Sequence, residues 1–251
     1  GMRSTLLVCL AIAVVSAKPL ASKEEDEKFA RGTKFVKDIL GPNVNITAVK
    51  AIVADEAAAL GIPMEEHWAT CLHDEEQIAV DEEDQAAMML EFTQNADKFY
   101  FENRDDVLPV LKKHFPKAHA ALVKIVGEDF SDYNKMTKDL GNDDAAAFLT
   151  NLKDTSLDLV VGWTQTRNDP NKVLRYFPTA AKSVQKIMND WDQLSKVAKQ
   201  VMEKELCLGT AVRLIDVVGE DKGQFTELKK QLNQLIKMSE LLGEQLEANG
   251  L

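Results

Sequence analysis

The side chains best suited to chemistry gather in one short stretch. Glu65-Glu66-His67-Trp68-Ala69-Thr70-Cys71-Leu72-His73-Asp74-Glu75-Glu76 brings imidazole, thiol and carboxylate groups together, and these are the ligand types of Zn2+. On a helix, His67 and Cys71 share a face at i and i+4, whereas His73 does not. No second cysteine pair at zinc-finger spacing supports them, and a disulfide-bonded Cys71 has no thiolate to give. The acids therefore read as a solvated loop after a disulfide cysteine, with no metal and no cofactor expected. The acidic runs also lack the glycine that an EF-hand loop needs at its sixth position. Covalent catalysis finds no Gly-x-Ser-x-Gly turn and no phosphate loop, and only four histidines are available as bases. His114 and His119 read as surface residues flanking a Phe115-Pro116 turn. The expectation is that the chain is not an enzyme.

The cysteines take their meaning from the first residues. Arg3 supplies a positive start, Leu6 to Val15 is an unbroken apolar run, and Val15-Ser16-Ala17 places small residues at a cleavage site. This is the pattern of a secretory signal peptide over residues 1–17, with Gly1 ahead of Met2 reading as a remnant of cloning. As a helix the apolar run rises about 15 Å, roughly half a bilayer core, so no integral membrane segment is expected. Removal of the signal takes Cys9 with it and leaves Cys71 and Cys207. Two cysteines in an oxidising compartment suggest one disulfide, the alternative being two separate buried thiols. Closing a loop of more than a hundred residues is worth about 4–5 kcal/mol in the chain-entropy model. Secretion also makes Asn45, in Asn45-Ile46-Thr47, a candidate glycosylation site. The expected address is extracellular.

Composition narrows the partners. Forty-one acidic residues against 30 basic ones give a net charge of −11. That excludes a nucleic-acid binder, whose phosphate contacts need clustered Lys and Arg, and it disfavours an anionic membrane surface. The acidic balance serves solubility. Only 12 glycines and 7 prolines in 251 residues, with abundant Ala, Leu, Lys and Glu, favour helix.

The apolar spacing places these groups on helices. Residues 18–28 read as a polar, mobile arm. A helix from Phe29 stops at Gly41-Pro42, and a second runs from about Ile46 to Leu60 before Gly61-Ile62-Pro63. Met64 to Leu72 reads as a short helix, and one capped near Asp81 carries Met88, Met89, Phe92 and Phe99. Leu157 to Val161 looks strand-like in isolation but sits inside a longer helical pattern. The last helix, Gln224 to Ala248, bears a heptad stripe at Phe225, Leu228, Leu232, Leu235, Leu242 and Leu246. The expected fold is all-α: a secreted multi-helix bundle over 29–251, as one domain or two packed halves, with room for an internal apolar cavity.

Two segments echo each other: Phe115-Pro116-Lys117-Ala118 and Phe177-Pro178-Thr179-Ala180. Each reads as the end of one helix, a Phe-Pro junction and a new helix start. Gly141-Asn142-Asp143-Asp144-Ala145-Ala146-Ala147-Phe148-Leu149 is a capped Ala-rich helix start, and Val173-Leu174-Arg175-Tyr176-Phe177-Pro178 leads into the later junction. In these features the region from about Asp105 to Met188 resembles the nematode fatty-acid- and retinol-binding proteins. The chain is longer than a typical member, its cysteine pair is a departure, and its first hundred residues have no counterpart there. The resemblance implies a helical shell around a cavity for fatty acids or retinoids.

The candidate wall comprises Phe115, Leu122 and Ile125, then Phe148, Leu152 and Leu159, then Leu174, Phe177, Val184 and Ile187. Met88, Met89, Met188, Met202 and Met238 could add adaptable lining. Arg175 or Lys124 could meet a carboxylate head group. An apolar stripe serves equally well as ordinary core. The two expectations are therefore a secreted carrier of small lipids and, as the alternative, a secreted factor that acts on a protein partner through its helix faces.

Overall fold

The computed structural model describes residues 25–72, 82–217 and 224–249. The signal peptide expected over 1–17, most of the arm over 18–28, and His73 with the acids after it lie outside the described residues. In chain order the α-helices are α1 (Glu25–Leu40), α2 (Ile46–Leu60), α3 (Met64–Cys71), α4 (Glu82–Gln94), α5 (Val107–His114), α6 (Pro116–Val126), α7 (Ser131–Asp139), α8 (Asp143–Thr166), α9 (Pro170–Gln193), α10 (Lys196–Leu206), α11 (Leu208–Leu214) and α12 (Gln224–Ala248). Short 3-10 turns punctuate them, and no strand occurs among the described residues. The protein is all-α.

Local chemistry sets the ends of these helices. The Asn45 side chain accepts from the Ala48 amide at 3.1 Å and opens α2. Gly61, at φ 70°, closes it, with its own amide bonded to the Ala58 carbonyl and the Ile62 amide to that of Ala57. Asn142 starts α8 in the same way through the Ala145 amide. Asp169 starts α9 through the amides of Asn171 and Lys172, ahead of Pro170 in the first turn.

The two Phe-Pro segments fold differently, which corrects the expected echo. Phe115 ends α5 and begins α6, with Pro116 in the first turn. Phe177-Pro178 is no junction: α9 continues through it with Pro178 inside. Proline there has no amide hydrogen for the Leu174 carbonyl. A long amphipathic helix outweighs that single loss.

The described residues fall into two compact units: those of 1–79 with 195–227, and those of 80–194 with 228–251. In the first, α1, α2, α3, α10 and α11 surround a core of Val36, Val49, Val53, Trp68, Cys71, Leu72 and Cys207. Helices α1 and α3 approach so closely that a Cβ on Gly32 would lie 2.3 Å from Trp68 Nε1 and 2.5 Å from the Leu72 carbonyl oxygen. In the second unit, Phe101, Val107, Leu111, Phe115, Ala118 and Val161 form the core. Phe92 stacks on Phe115 at 4.8 Å between centroids, and Phe99 meets Phe92, Phe101 and Phe115 edge-on. Phe99 and Phe101 lie beyond the end of α4.

Helices α8 and α9 form an antiparallel hairpin. Gly162 admits the Tyr176 ring against α8, and the Tyr176 hydroxyl donates to the Leu159 carbonyl at 2.5 Å. Two ion pairs tie α12 to α9, Lys182 to Glu240 at 2.8 Å and Asp192 to Lys229. As the number rises along α9 it falls along α12, so the two run antiparallel.

Candidate functional site

Cys71 and Cys207 form a disulfide with Cα atoms 5.5 Å apart and a sequence separation of 136. It joins the end of α3 to the residue between α10 and α11. Cys207 takes a left-handed conformation at φ 53°, which lets its amide close α10 on Glu203 while its carbonyl starts α11 through Ala211. This conformation costs a non-glycine residue about 1–2 kcal/mol. The disulfide is compatible with an extracellular protein.

Beside it lies a buried polar cluster. His67 Nε2 is 2.5 Å from Glu203 Oε1, and both residues are 1% exposed. The Thr210 amide donates to Glu203 Oε2 at 2.7 Å, and the Thr210 hydroxyl donates to Oε1. Three donors around one carboxylate offset the cost of burying it. Cys71 Sγ is 3.5 Å from His67 Nε2 and 3.7 Å from Nδ1. At the edge of the cluster, Arg213 pairs with Asp55 and Glu56 at 2.9 Å each. Burial pulls the Arg213 guanidinium down, but hydrogen bonds to both acids and their charges outweigh it and leave it above its ordinary value.

The sequence places His67 and Cys71 on one helical face, and the structure bears this out. His67 lies on α3, within the stretch Met64 to Leu72 read as a short helix, and is buried in the first unit. His119 is also buried, contrary to the expected surface position. Glu203 escaped sequence reasoning altogether. Its one signal is that it precedes Cys207 by four residues, as His67 precedes Cys71.

The ten candidate wall residues all fall in the second unit, Phe115 at the junction of α5 and α6 and the other nine on α6, α8 and α9. Phe115 is fully buried in the core, and Phe148 is buried with its ring 5.6 Å from Trp191. Leu122, Ile125, Leu152, Leu159, Val184 and Ile187 are half-buried. Leu174 and Phe177 stand in solvent, 53% and 44% exposed, and Trp163 on α8 is 43% exposed. The ion pairs that set the α9–α12 register put Leu242 and Leu246 at about the level of Phe177 and Leu174. Arg175 and Lys124 are exposed. Met188 and Met202 are buried, Met202 in the first unit, whereas Met89 and Met238 are exposed.

Asn45 is exposed, and its Oδ1 serves the helix cap, leaving Nδ2, the atom a glycan would take, outside that bond. No helix among the described residues is long and apolar enough to cross a membrane. No family model, curated protein or solved structure matches this chain.

Proposed function

We propose that the protein is a secreted, non-catalytic binder and carrier of small lipids, with fatty acids or retinoids as the ligand class. One observation carries the reading. On α8, α9 and α12, Trp163, Leu174, Phe177, Leu242 and Leu246 keep large apolar surfaces in water. Leu174 and Phe177 stand three residues apart on α9 and so adjoin on its surface, and adjoining exposed apolar side chains mark binding surfaces in soluble proteins. Arg175 lies between Leu174 and Phe177 in the sequence and has no carboxylate partner among the described residues, so it suits the head group of a fatty acid. The net charge of −11 keeps such a surface off anionic bilayers and favours free lipid monomers. The resemblance to the nematode fatty-acid- and retinol-binding proteins supports the same ligand class.

The test is native mass spectrometry with organic extraction, followed by titration with a fluorescent fatty acid and with retinol. One saturable site is expected. Phe177→Ala weakens it at least fivefold and leaves Tm within about 2 °C, because an exposed ring contributes little to folding. Absence of saturable binding to the full chain overturns the reading.

A second reading has its own observation. Leu228, Leu235, Met238, Leu241 and Leu242 are 40–67% exposed along α12. Leu228, Leu235 and Leu242 belong to the heptad stripe, so part of that stripe is open to a helix of another protein, which supports a secreted interaction factor without ligand carriage. Stoichiometric lipid with a monomeric chain favours the first reading, and a lipid-free chain that captures a helical partner favours the second.

A further inference from the structure

We propose that the Cys71–Cys207 disulfide covers a latent tetrahedral Zn2+ site, which its reduction opens to the metal. Each of two helical segments supplies a pair of ligand types at i and i+4. His67 and Cys71 come from α3, and Glu203 and Cys207 from α10 and the residue that follows it. That spacing puts His67 and Cys71 on one face of α3; Cys207, left-handed just past the end of α10, is brought to them by the disulfide, and Glu203 by its bond to His67. The candidate atoms of His67, Cys71 and Glu203 already lie within 4.8 Å of one another and are buried. Zinc holds sulfur at about 2.3 Å and nitrogen at about 2.0 Å, so the sulfur-to-nitrogen edge of its tetrahedron is about 3.6 Å. Cys71 Sγ and His67 Nε2 stand 3.5 Å apart. Two thiolates, an imidazole and a carboxylate make four ligands of types that Zn2+ takes, carrying together three negative charges against the metal's two.

The surroundings fit a metal as well. The Thr210 amide and hydroxyl hold the Glu203 carboxylate through both of its oxygens, as outer partners of metal-bound carboxylates do. Val49, Val53, Trp68 and Leu72 give the site an apolar wall. The chemistry balances. A dithiol passes two electrons and two protons to the Cys71–Cys207 bond and itself becomes a disulfide. Zn2+ then displaces the two thiol protons, and His67 turns a nitrogen lone pair to the metal in place of its bond to Glu203. Disulfide and metal are mutually exclusive occupants of one site. The inference rests on the first unit alone and is independent of lipid carriage.

Cobalt reads the ligands directly. The full chain, reduced with a phosphine and freed of oxygen, is titrated with Co2+ and then with Zn2+. The expected result is one equivalent of Co2+ giving a thiolate charge-transfer band in the near ultraviolet and strong visible bands of tetrahedral cobalt, displaced by one equivalent of Zn2+. The oxidised chain and the Cys71→Ser/Cys207→Ser chain give neither band, and His67→Gln binds at least tenfold more weakly. Where reduction lowers helicity by circular dichroism, Zn2+ restores it. A reduced chain without the charge-transfer band overturns the proposal. So does a band unchanged in both His67→Gln and Glu203→Gln, or helicity lost on reduction that Zn2+ fails to recover.

Discussion

Tyr133 and Glu203 show two ways of burying a polar side chain. The Tyr133 phenol donates to the Leu149 carbonyl at 2.7 Å, and burial first, with the Asp154 charge second, pushes its ionisation well above the ordinary tyrosine value. Tyr176 is raised too, chiefly by its own burial. The sign follows from linkage. Above about pH 10 the unfolded chain gives up these protons while the folded one keeps them, so stability is whole below pH 10 and falls as pH rises beyond it. Each such group contributes a slope of up to about 1.4 kcal/mol per pH unit. Urea unfolding of the full chain at pH 9, 10 and 11 should therefore show a declining midpoint, and Tyr133→Phe should flatten that decline. An identical decline in the variant would mean that other groups carry the alkaline loss. Glu203 takes two donors from Thr210, seven residues on, and its third from His67 on α3, 136 residues away. The sequence hides the distant partner: nothing in a glutamate on a mostly polar helix points to His67 on α3.

At the scale of elements, the sequence reads well where the cause is local. Asn45 and Gly61 bound α2 through side-chain capping and a left-handed closing residue, and both signals lie within the chain segment itself. The strand-like run Leu157 to Val161 is helical because the surrounding spacing is helical. Phe177-Pro178 misleads because the same dipeptide serves two environments, and only packing along α9 decides between them. Glycines inside helices show the same division. Gly32 and Gly243 are both helical, and replacement by Ala gains about 1 kcal/mol of propensity at either place. At Gly243 nothing lies within 4 Å of the added Cβ, so Gly243→Ala should raise Tm by a few degrees. At Gly32 the Cβ meets the Trp68 ring and the Leu72 backbone carbonyl. Overpacking of about 1–3 kcal/mol there exceeds the propensity gain, so Gly32→Ala should lower Tm. Thermal unfolding of the two variants beside the parent chain checks both signs, and a shift of the same sign in both would remove the close α1–α3 approach as an explanation.

Across the whole molecule, chain order and the division into units diverge. The first unit is assembled from segments on either side of residues 80–194, whereas those residues form the body of the second as one continuous piece. The sequence's helical pattern does not reveal this arrangement, because pairing α3 with α10 depends on contacts across a separation of 136 residues. The disulfide lies wholly within the first unit and holds its two segments together. Without it, closing so long a loop costs about 4–5 kcal/mol more, and that loss falls on the unit whose segments must find each other. The second unit keeps its aromatic core and the α8–α9 hairpin from nearby chain. Hydrogen exchange on the full chain, oxidised and reduced, should therefore show protection falling over 25–72 and 195–217 while 107–193 retain theirs. Equal loss in both regions would mean that the two units unfold as one. Recovery over 25–72 and 195–217 on adding Zn2+ to the reduced chain would show metal and disulfide performing the same joining role.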